Sequence, residues 1–270
     1  MSSKCDSCSS KDCDSCAEKL KVATNEYNNI KHIIAVASGK GGVGKSTVTC
    51  SLAVCLAKQG YKVGVLDGDI TGPSVPKCFG ITGNATGDGN LIYPSVTPLG
   101  IKIMSINLLL ETPETPVVWR GPVIANALKQ FWTDVVWGEL DFLFIDMPPG
   151  TGDVPLTAFQ SLTLDGIIIV TSPQALVSMI VSKAINMADL MKVKVLGIIE
   201  NYSYLLCPNC KTPIYVFGKS NIDEIASQKQ VPVLAKLALD AKIAEACDSG
   251  QIEEQQFDGY DKAIAMLKAL

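Results

Sequence analysis

Residues 39–46 read Gly-Lys-Gly-Gly-Val-Gly-Lys-Ser and constrain this chain more than any other stretch. The string fits G-x-x-x-x-G-K-[ST]. It follows a continuous apolar run (IIAVAS, 33–38) and opens a helical stretch over 45–58, closed by Gly60. Strand, glycine loop and helix in that order make a cradle for phosphate. The glycines, Gly39, Gly41, Gly42 and Gly44, let the backbone wrap closely around the oxygens. Backbone N–H groups, that of Val43 among them, and the helix N-terminus supply fixed positive potential. In that geometry Lys45 reaches the β- and γ-phosphates of ATP. Ser46 ligates Mg²⁺, and Thr47 touches the α-phosphate.

The remaining runs are consistent with that start. Apolar strands are predicted at 62–66, ending at Asp67, and at 101–106, 142–145, 166–171, 194–199 and 231–235. Helices are predicted at 121–133, with Pro122 just inside the start, and at about 175–191, 219–229, 240–248 and 257–269. Residues 71–98 are rich in Gly, Pro, Thr and Asn and read as loop. Strands buried on both faces and alternating with helices predict an α/β fold, a mainly parallel β-sheet with helices on both faces. Residues 1–29 are small and polar and read as a short cysteine-rich N-terminal arm that a metal would order. Residues 30–270 form the phosphate-binding domain. No internal repeat is present.

Three acids complete the expected phosphate chemistry. Asp146 ends an apolar strand, where a carboxylate holds Mg²⁺ through water. Asp67 and Asp69 follow another strand toward the γ-phosphate side, one to organise Mg²⁺-bound water and the other the attacking water. Phosphoryl transfer to water is mostly positioning and charge stabilisation, so no histidine is required. The sequence holds one, His32, expected at a strand edge and solvated, which argues against Ser-His-Asp chemistry. With 23 basic and 27 acidic residues the chain lacks the basic surplus of a nucleic-acid binder. No apolar run approaches the ~18 residues of a membrane span. The polar start shows no hydrophobic leader, so a cytoplasmic location is expected.

Ten cysteines are many for such a chain. Six fall in three Cys-x-x-Cys pairs, Cys5/Cys8, Cys13/Cys16 and Cys207/Cys210. In a well-cored chain that shows no leader this clustering reads as metal or redox chemistry rather than a disulfide framework. The first four suffice for one closed site, holding a ferredoxin-like cluster or zinc, unless they form an unmetallated tail. Cys207 and Cys210 supply two thiolates where Zn²⁺ or a [4Fe–4S] cluster wants four. Cys50 and Cys55 are expected to pack in the helix after the phosphate loop, and Trp119, Trp132 and Trp137 to be core or interface anchors.

GKGGVGKST is similar to the deviant phosphate loop of the MinD/ParA/nitrogenase-iron-protein class. VLDGDITGPSVP (65–76), WRGPVIANALKQF (119–131), DFLFIDMPPGTGD (141–153), ENYSYLLCPNC (200–210) and LDAKIAEACDSG (239–250) narrow the resemblance to the Mrp/ApbC family of P-loop ATPases, regarded as iron–sulfur cluster carriers or scaffolds. That resemblance covers residues 30–269. It implies that Lys40 reaches phosphates bound by a partner subunit, that Asp69 lies in switch I and Asp146 in switch II, and that Asn201 contacts adenine. It implies a homodimer bridging a [4Fe–4S] cluster between two Cys207/Cys210 pairs, delivery to apo-acceptor proteins, and neither nucleic acid nor membrane as partner. The sequence departs from the family at Gly68, where Ala is expected, at Lys211, where Gly is expected, and at Ala238, where Pro is expected. A MinD/ParA-type alternative would be a positioning switch with a structural zinc, working through a membrane-binding C-terminal helix or a DNA-binding surface; a nitrogenase-iron-protein-like electron-transfer ATPase would place its cluster cysteines singly.

Overall fold

The structure, a computed structural model, describes residues 22–69, 72, 74–109, 121–150, 162–173 and 177–270. The strands are β1 (Asn29–Ala37), β2 (Val63–Asp67), β3 (Thr86–Gly87), β4 (Ile92–Tyr93), β5 (Ser95–Val96), β6 (Lys102–Ser105), β7 (Glu139–Asp146), β8 (Gly166–Thr171), β9 (Val195–Leu206), β10 (Pro213–Ile214) and β11 (Val233–Ala238). The α-helices are α1 (Lys45–Ala57), α2 (Val75–Cys78), α3 (Gly121–Thr133), α4 (Val177–Leu190), α5 (Ile222–Gln228), α6 (Ala241–Ser249) and α7 (Asp261–Lys268).

One sheet organises the chain, in the order β10-β9-β8-β1-β7-β2-β6-β5, with β11 also paired to β9. Its pairs are parallel except at β10–β9 and β5–β6. Central β1 runs between β7 and β8, with Asn29 opposite Glu139 and Ala37 opposite Ile169. Alternation along the strands divides the core. Ile34, Val36, Phe142 and Phe144 face one layer with α1, α2, α6 and α7. Ile33, Ala35, Leu143 and Ile145 face the other, with α3 and α4, while α4 and α5 close over Ile169 and Ile198. Each fully buried aliphatic or aromatic side chain contributes about 1.5–3 kcal/mol.

Helix α1 is buried nearly all round, through residues as different as Lys45, Thr49, Leu52 and Leu56. That burial is why its sequence lacks a polar face. Cys50 lies in the core and Cys55 packs against it, and Trp132 and Trp137 are both buried. His32 sits inside β1, half-buried, its ring 5.3 Å from that of Phe142. It was expected at a solvated strand edge, but β1 begins four residues earlier than the apolar run indicates. Residues 71–98, expected as loop, contribute short α2 and the two-residue strands β3, β4 and β5.

Residues 22–28, assigned to the arm in sequence, grip the body. Trp132 Nε1 donates to Val22 O at 2.8 Å and Thr24 Oγ1 to Trp132 O at 3.0 Å. Asn25 Nδ2 reaches Thr133 O and Val135 O, while Asn28 Nδ2 reaches Val135 O and Gly138 N donates to Asn28 Oδ1. Cys5, Cys8, Cys13 and Cys16 lie outside the described residues.

Candidate nucleotide and thiol sites

Gly44 closes the phosphate loop as the residue before α1, at φ 74°. A Cβ there would lie 2.3 Å from Asn201 Nδ2 and 2.7 Å from Tyr202 Oη, so both backbone conformation and space demand glycine. The loop encloses a cavity of about 220 Å³ lined by residues 41–47 with Ser38, Asp69, Ser74 and Pro149. Its floor is a charged network. Lys45 Nζ lies 2.8 Å from Asp146 Oδ1 and 4.0 Å from Asp69 Oδ2. Ser46 Oγ donates to Asp146 Oδ2 at 2.5 Å. The sequence missed Thr49, whose hydroxyl lies within hydrogen-bond reach of two acceptors, Asp146 Oδ1 at 2.9 Å and Lys45 O at 3.0 Å. Its signal was helical spacing, one turn beyond Lys45 and Ser46 on the face toward β7.

Asp146 is fully buried at the end of β7. Its hydroxyl and ammonium partners satisfy a charge that would otherwise be costly there. Ser46 and Asp146 present hard oxygen donors side by side, the chemistry Mg²⁺ selects. Asp67, expected to act near Mg²⁺, ends β2. It is opposite Asp146 in the β2–β7 pairing and wholly buried. It accepts from Asp69 N, Val75 N and Ser105 Oγ at 3.2–3.3 Å. Burial, reinforced by the Asp146 charge, pushes its carboxyl up to about 8. Asp67 therefore pins the start of the loop after β2, while Asp69 faces the cavity. Gly68 is close-packed as well. A Cβ there would meet Asp146 O at 2.9 Å, so the alanine expected from the family does not fit this backbone without a shift.

Lys40 is half-buried in the loop, and burial lowers its ammonium pKa. Its backbone carbonyl accepts from Ser38 Oγ at 2.9 Å. Gly39 precedes it at the mouth of the loop. Asn201 donates from Nδ2 to Val43 O at 3.0 Å. Beyond Thr47 a second cavity, about 400 Å³, is lined by Asn201, Tyr202, Tyr204, Ala238, Leu239 and Asp240 among others. The two cavities share Thr47, as phosphate and base subsites of one nucleotide would. Asn201 and Ala238, the two positions the resemblance ties to the base, both line this second cavity. A larger groove of about 700 Å³ lies at the far end of α1, against α7, and shares Gln256, Asp258 and Tyr260 with the second cavity.

Strand β9 continues past the cavity to Leu206, seven residues further than the apolar run predicts, and turns back through β10. Cys207 and Cys210 occupy the tip of this hairpin, Cys210 exposed and Cys207 half-buried. Cys207 N donates to Thr212 O at 3.0 Å, and Lys211 N to Cys207 O at 2.9 Å. Lys211 has φ 59°, which explains why glycine suits that position. Cys210 Sγ and Thr212 Oγ1 are 3.2 Å apart. The Thr212 hydroxyl, then its backbone amide and the Cys207 thiol, hold the Cys210 thiol down to about 7. Leu206, Ile214, Tyr215, Val216 and Phe217 are exposed around the pair. Among the described residues no three metal-ligating side chains converge, so the hairpin offers two donors from one chain. Cys247, Cys78 and Cys50 are free thiols linked by hydrogen bonds, Cys247 to Cys78 and Cys78 to Cys50; the hydrogen bond and then burial raise the Cys247 pKa, and burial raises that of Cys50, as befits packing thiols.

A family model described as ParA, NUBPL iron-transfer P-loop NTPase, matches residues 29–269. A Clostridium perfringens protein named iron-sulfur cluster carrier protein is 46% identical over 267 residues, covering 93% of each chain. One of the same name from Methanocaldococcus jannaschii is 47% identical over 256 residues, covering 92% of this chain and 88% of its own. A nucleotide-binding protein from Archaeoglobus fulgidus, solved in complex with ADP, superposes with a TM-score of 0.78 at 44% identity, covering 86% of this chain and 91% of the other. The MinC:MinD cell division complex of Aquifex aeolicus shares the fold, with a TM-score of 0.63 at 18% identity and coverage of 88% and 95%.

Proposed function

The chain belongs to the NUBPL iron-transfer P-loop NTPase family, and from that premise we propose that it is an ATP-hydrolysing iron–sulfur cluster carrier that delivers [4Fe–4S] clusters to apo-acceptor proteins. One observation carries the reading. A complete phosphate loop and a surface thiol pair, one half-buried and one exposed, are joined by one continuous element, with β9 lining the nucleotide cavity at Asn201 and ending at Leu206, next to Cys207.

Hydrolysis needs the terminal phosphoryl group held and its charge countered while water attacks phosphorus and ADP leaves. The loop amides and α1 N-terminus bind the phosphate oxygens. Lys45 turns its ammonium from the Asp146 carboxylate to the β- and γ-oxygens. Asp69, at the cavity edge, orients the attacking water, and Lys40 reaches across to phosphates held by a second subunit. Ser46, with Asp146 behind it, would hold Mg²⁺, which neutralises developing phosphate charge when bound. Asn201 keeps the loop carbonyl of Val43 fixed and faces the base. Gly39, Gly41, Gly42, Val43, Gly44 and Thr47 complete the phosphate and ribose contacts.

The cluster is cargo. Two thiolates per chain and a four-ligand cluster call for a second identical pair, an isologous homodimer. Cys5, Cys8, Cys13 and Cys16 would hold a further Fe–S or zinc site on the arm. The protein acts in the cytoplasm on this reading; no described helix is long and apolar enough to cross a membrane. The positioning-switch alternative finds little support. Ala263, Ile264 and Leu267 of α7 are buried in the core, so that helix has no apolar face left for a bilayer.

Anaerobic reconstitution followed by incubation with an apo-acceptor tests the proposal. Cluster transfer to the acceptor is expected, and a reconstituted protein that passes none would overturn it. Cys207→Ala or Cys210→Ala is expected to abolish the bridging cluster and leave ATP binding intact. Parallel loss of both would contradict separate sites, and zinc without iron would mark a structural metal.

A further inference from the structure

The strand that lines the nucleotide cavity is broken at the point where it meets the phosphate loop. Lys236 of β11 pairs with Glu200 and Ala238 with Tyr204, so two residue steps on β11 face four on β9. The surplus is a bulge at residues 201–203, and within it Tyr202 has φ 58°. A left-handed tyrosine is costly, and such residues persist where surrounding contacts hold them. Here those contacts belong to the phosphate loop. The Tyr202 hydroxyl lies over Gly44. Tyr202 is hydrogen-bonded to Asn201, and Asn201 Nδ2 is bonded to Val43 O.

The other side of the bulge governs the hairpin. Glu200 is fully buried. Its carboxylate accepts from Ser203, in the bulge, at 2.6 Å, and from Ser220, in the chain returning from the hairpin. Leu239 N donates to Tyr204 O at 2.7 Å just beyond. The base of the hairpin is therefore clamped by residues contiguous with those that seat on the loop. From Tyr202 to Cys207 is five residues, about 15 Å of strand.

We propose that Tyr202 is a positioning residue that ties the β9 bulge to the phosphate loop, so that nucleotide occupancy sets the mobility of the Cys207/Cys210 hairpin. The inference rests on the reading that the loop binds nucleotide and the thiol pair holds cargo. A nucleotide entering beside Thr47 adds contacts to Asn201, Tyr202 and Tyr204, restrains the bulge and tightens the hairpin. An emptied loop leaves the bulge less restrained and the thiols more accessible. Cargo is thereby retained while nucleotide is bound and becomes transferable when it leaves.

The test uses the full chain, reduced and free of metal, at one pH. Iodoacetamide alkylation of Cys207 and Cys210 is timed by peptide mass spectrometry with and without ADP, at saturation established by titrating each protein. ADP is expected to slow alkylation on the order of fivefold or more, with slower hydrogen exchange over residues 204–214. Tyr202→Gly and Tyr202→Asn both tolerate the left-handed backbone and remove the ring, so each is expected to lose the ADP effect at its own saturating concentration. Unchanged wild-type alkylation and exchange with ADP bound would overturn this proposal alone. Full protection persisting in both variants would overturn the role of Tyr202. Failure of ADP to bind the wild type would overturn the nucleotide reading and this inference with it.

Discussion

Among single residues, Cys210 and Asp67 show how little identity says without surroundings. Cys210 is exposed, yet the Thr212 hydroxyl and amide favour its thiolate and hold its pKa at about 7. Its alkylation rate in the metal-free protein is accordingly expected to rise with pH about a midpoint near 7. Above that value the nucleophilic form dominates, and below it the rate falls. Thr212→Val, which removes the hydroxyl bond, should move the midpoint upward. A midpoint left in place would show that the side-chain bond does not set it. Asp67 runs the opposite way, its carboxyl pushed upward by burial. The phosphate-loop residues were legible because glycine spacing, lysine and serine stand adjacent in sequence. Asp67 was legible as an acid at a strand end but not in its setting. Which of two acids two positions apart would be wholly enclosed depends on Ser105 and Val75, distant neighbours no local pattern reveals. Tyr202 gave no signal at all, since a bulge is a mismatch between two strands rather than a property of one.

At the scale of elements, long apolar runs located β1, β2, β7 and β8, because strands buried on both faces leave continuous hydrophobic sequence. Strand β9 was cut short in the sequence reading. Its second half, Asn201 to Leu206, leaves the doubly covered sheet and mixes polar with apolar residues. The edge strands β3, β4 and β5 are two residues each, too short for any periodicity. The thiol hairpin shows a local conflict of its own, since Lys211 occupies a left-handed conformation. Lys211→Gly relieves that cost, about 1–2 kcal/mol, against a loss of roughly 0.5–1 kcal/mol from the more flexible unfolded chain. A net stabilisation of about 0.5–1 kcal/mol is expected in denaturant unfolding. Lys211→Val should destabilise, because a β-branched residue resists that backbone more strongly; the reverse order of the two variants would rule out strain as the cause.

For the whole molecule, the sheet defines a body that begins before β1. Six hydrogen bonds fasten residues 22–28 to the end of α3 and the segment before β7. Removing residues 1–21 spares them all, whereas removing residues 1–28 leaves several backbone carbonyls and the Trp132 indole without those partners. The shorter deletion is expected to leave the unfolding temperature within a degree or two of the full chain. The longer one should cost on the order of 2–4 kcal/mol, a fall of several degrees for a chain of this size. Equal melting of the two truncations would show that the grip contributes nothing. Composition places that boundary at residue 30, because six contacts with partners more than 100 positions away leave no local trace.

The central position of β1 carries a cost of timing. Its first neighbour in the sheet, β7, starts 110 residues later, Asn29 lying opposite Glu139. At about 5–20 residues per second of synthesis, the ribosome needs roughly 5–20 seconds to supply that neighbour. This strand, whose second half is wholly buried, thus emerges early and waits unpaired, so the nascent chain is exposed to aggregation through the very segment that later leads into the phosphate loop.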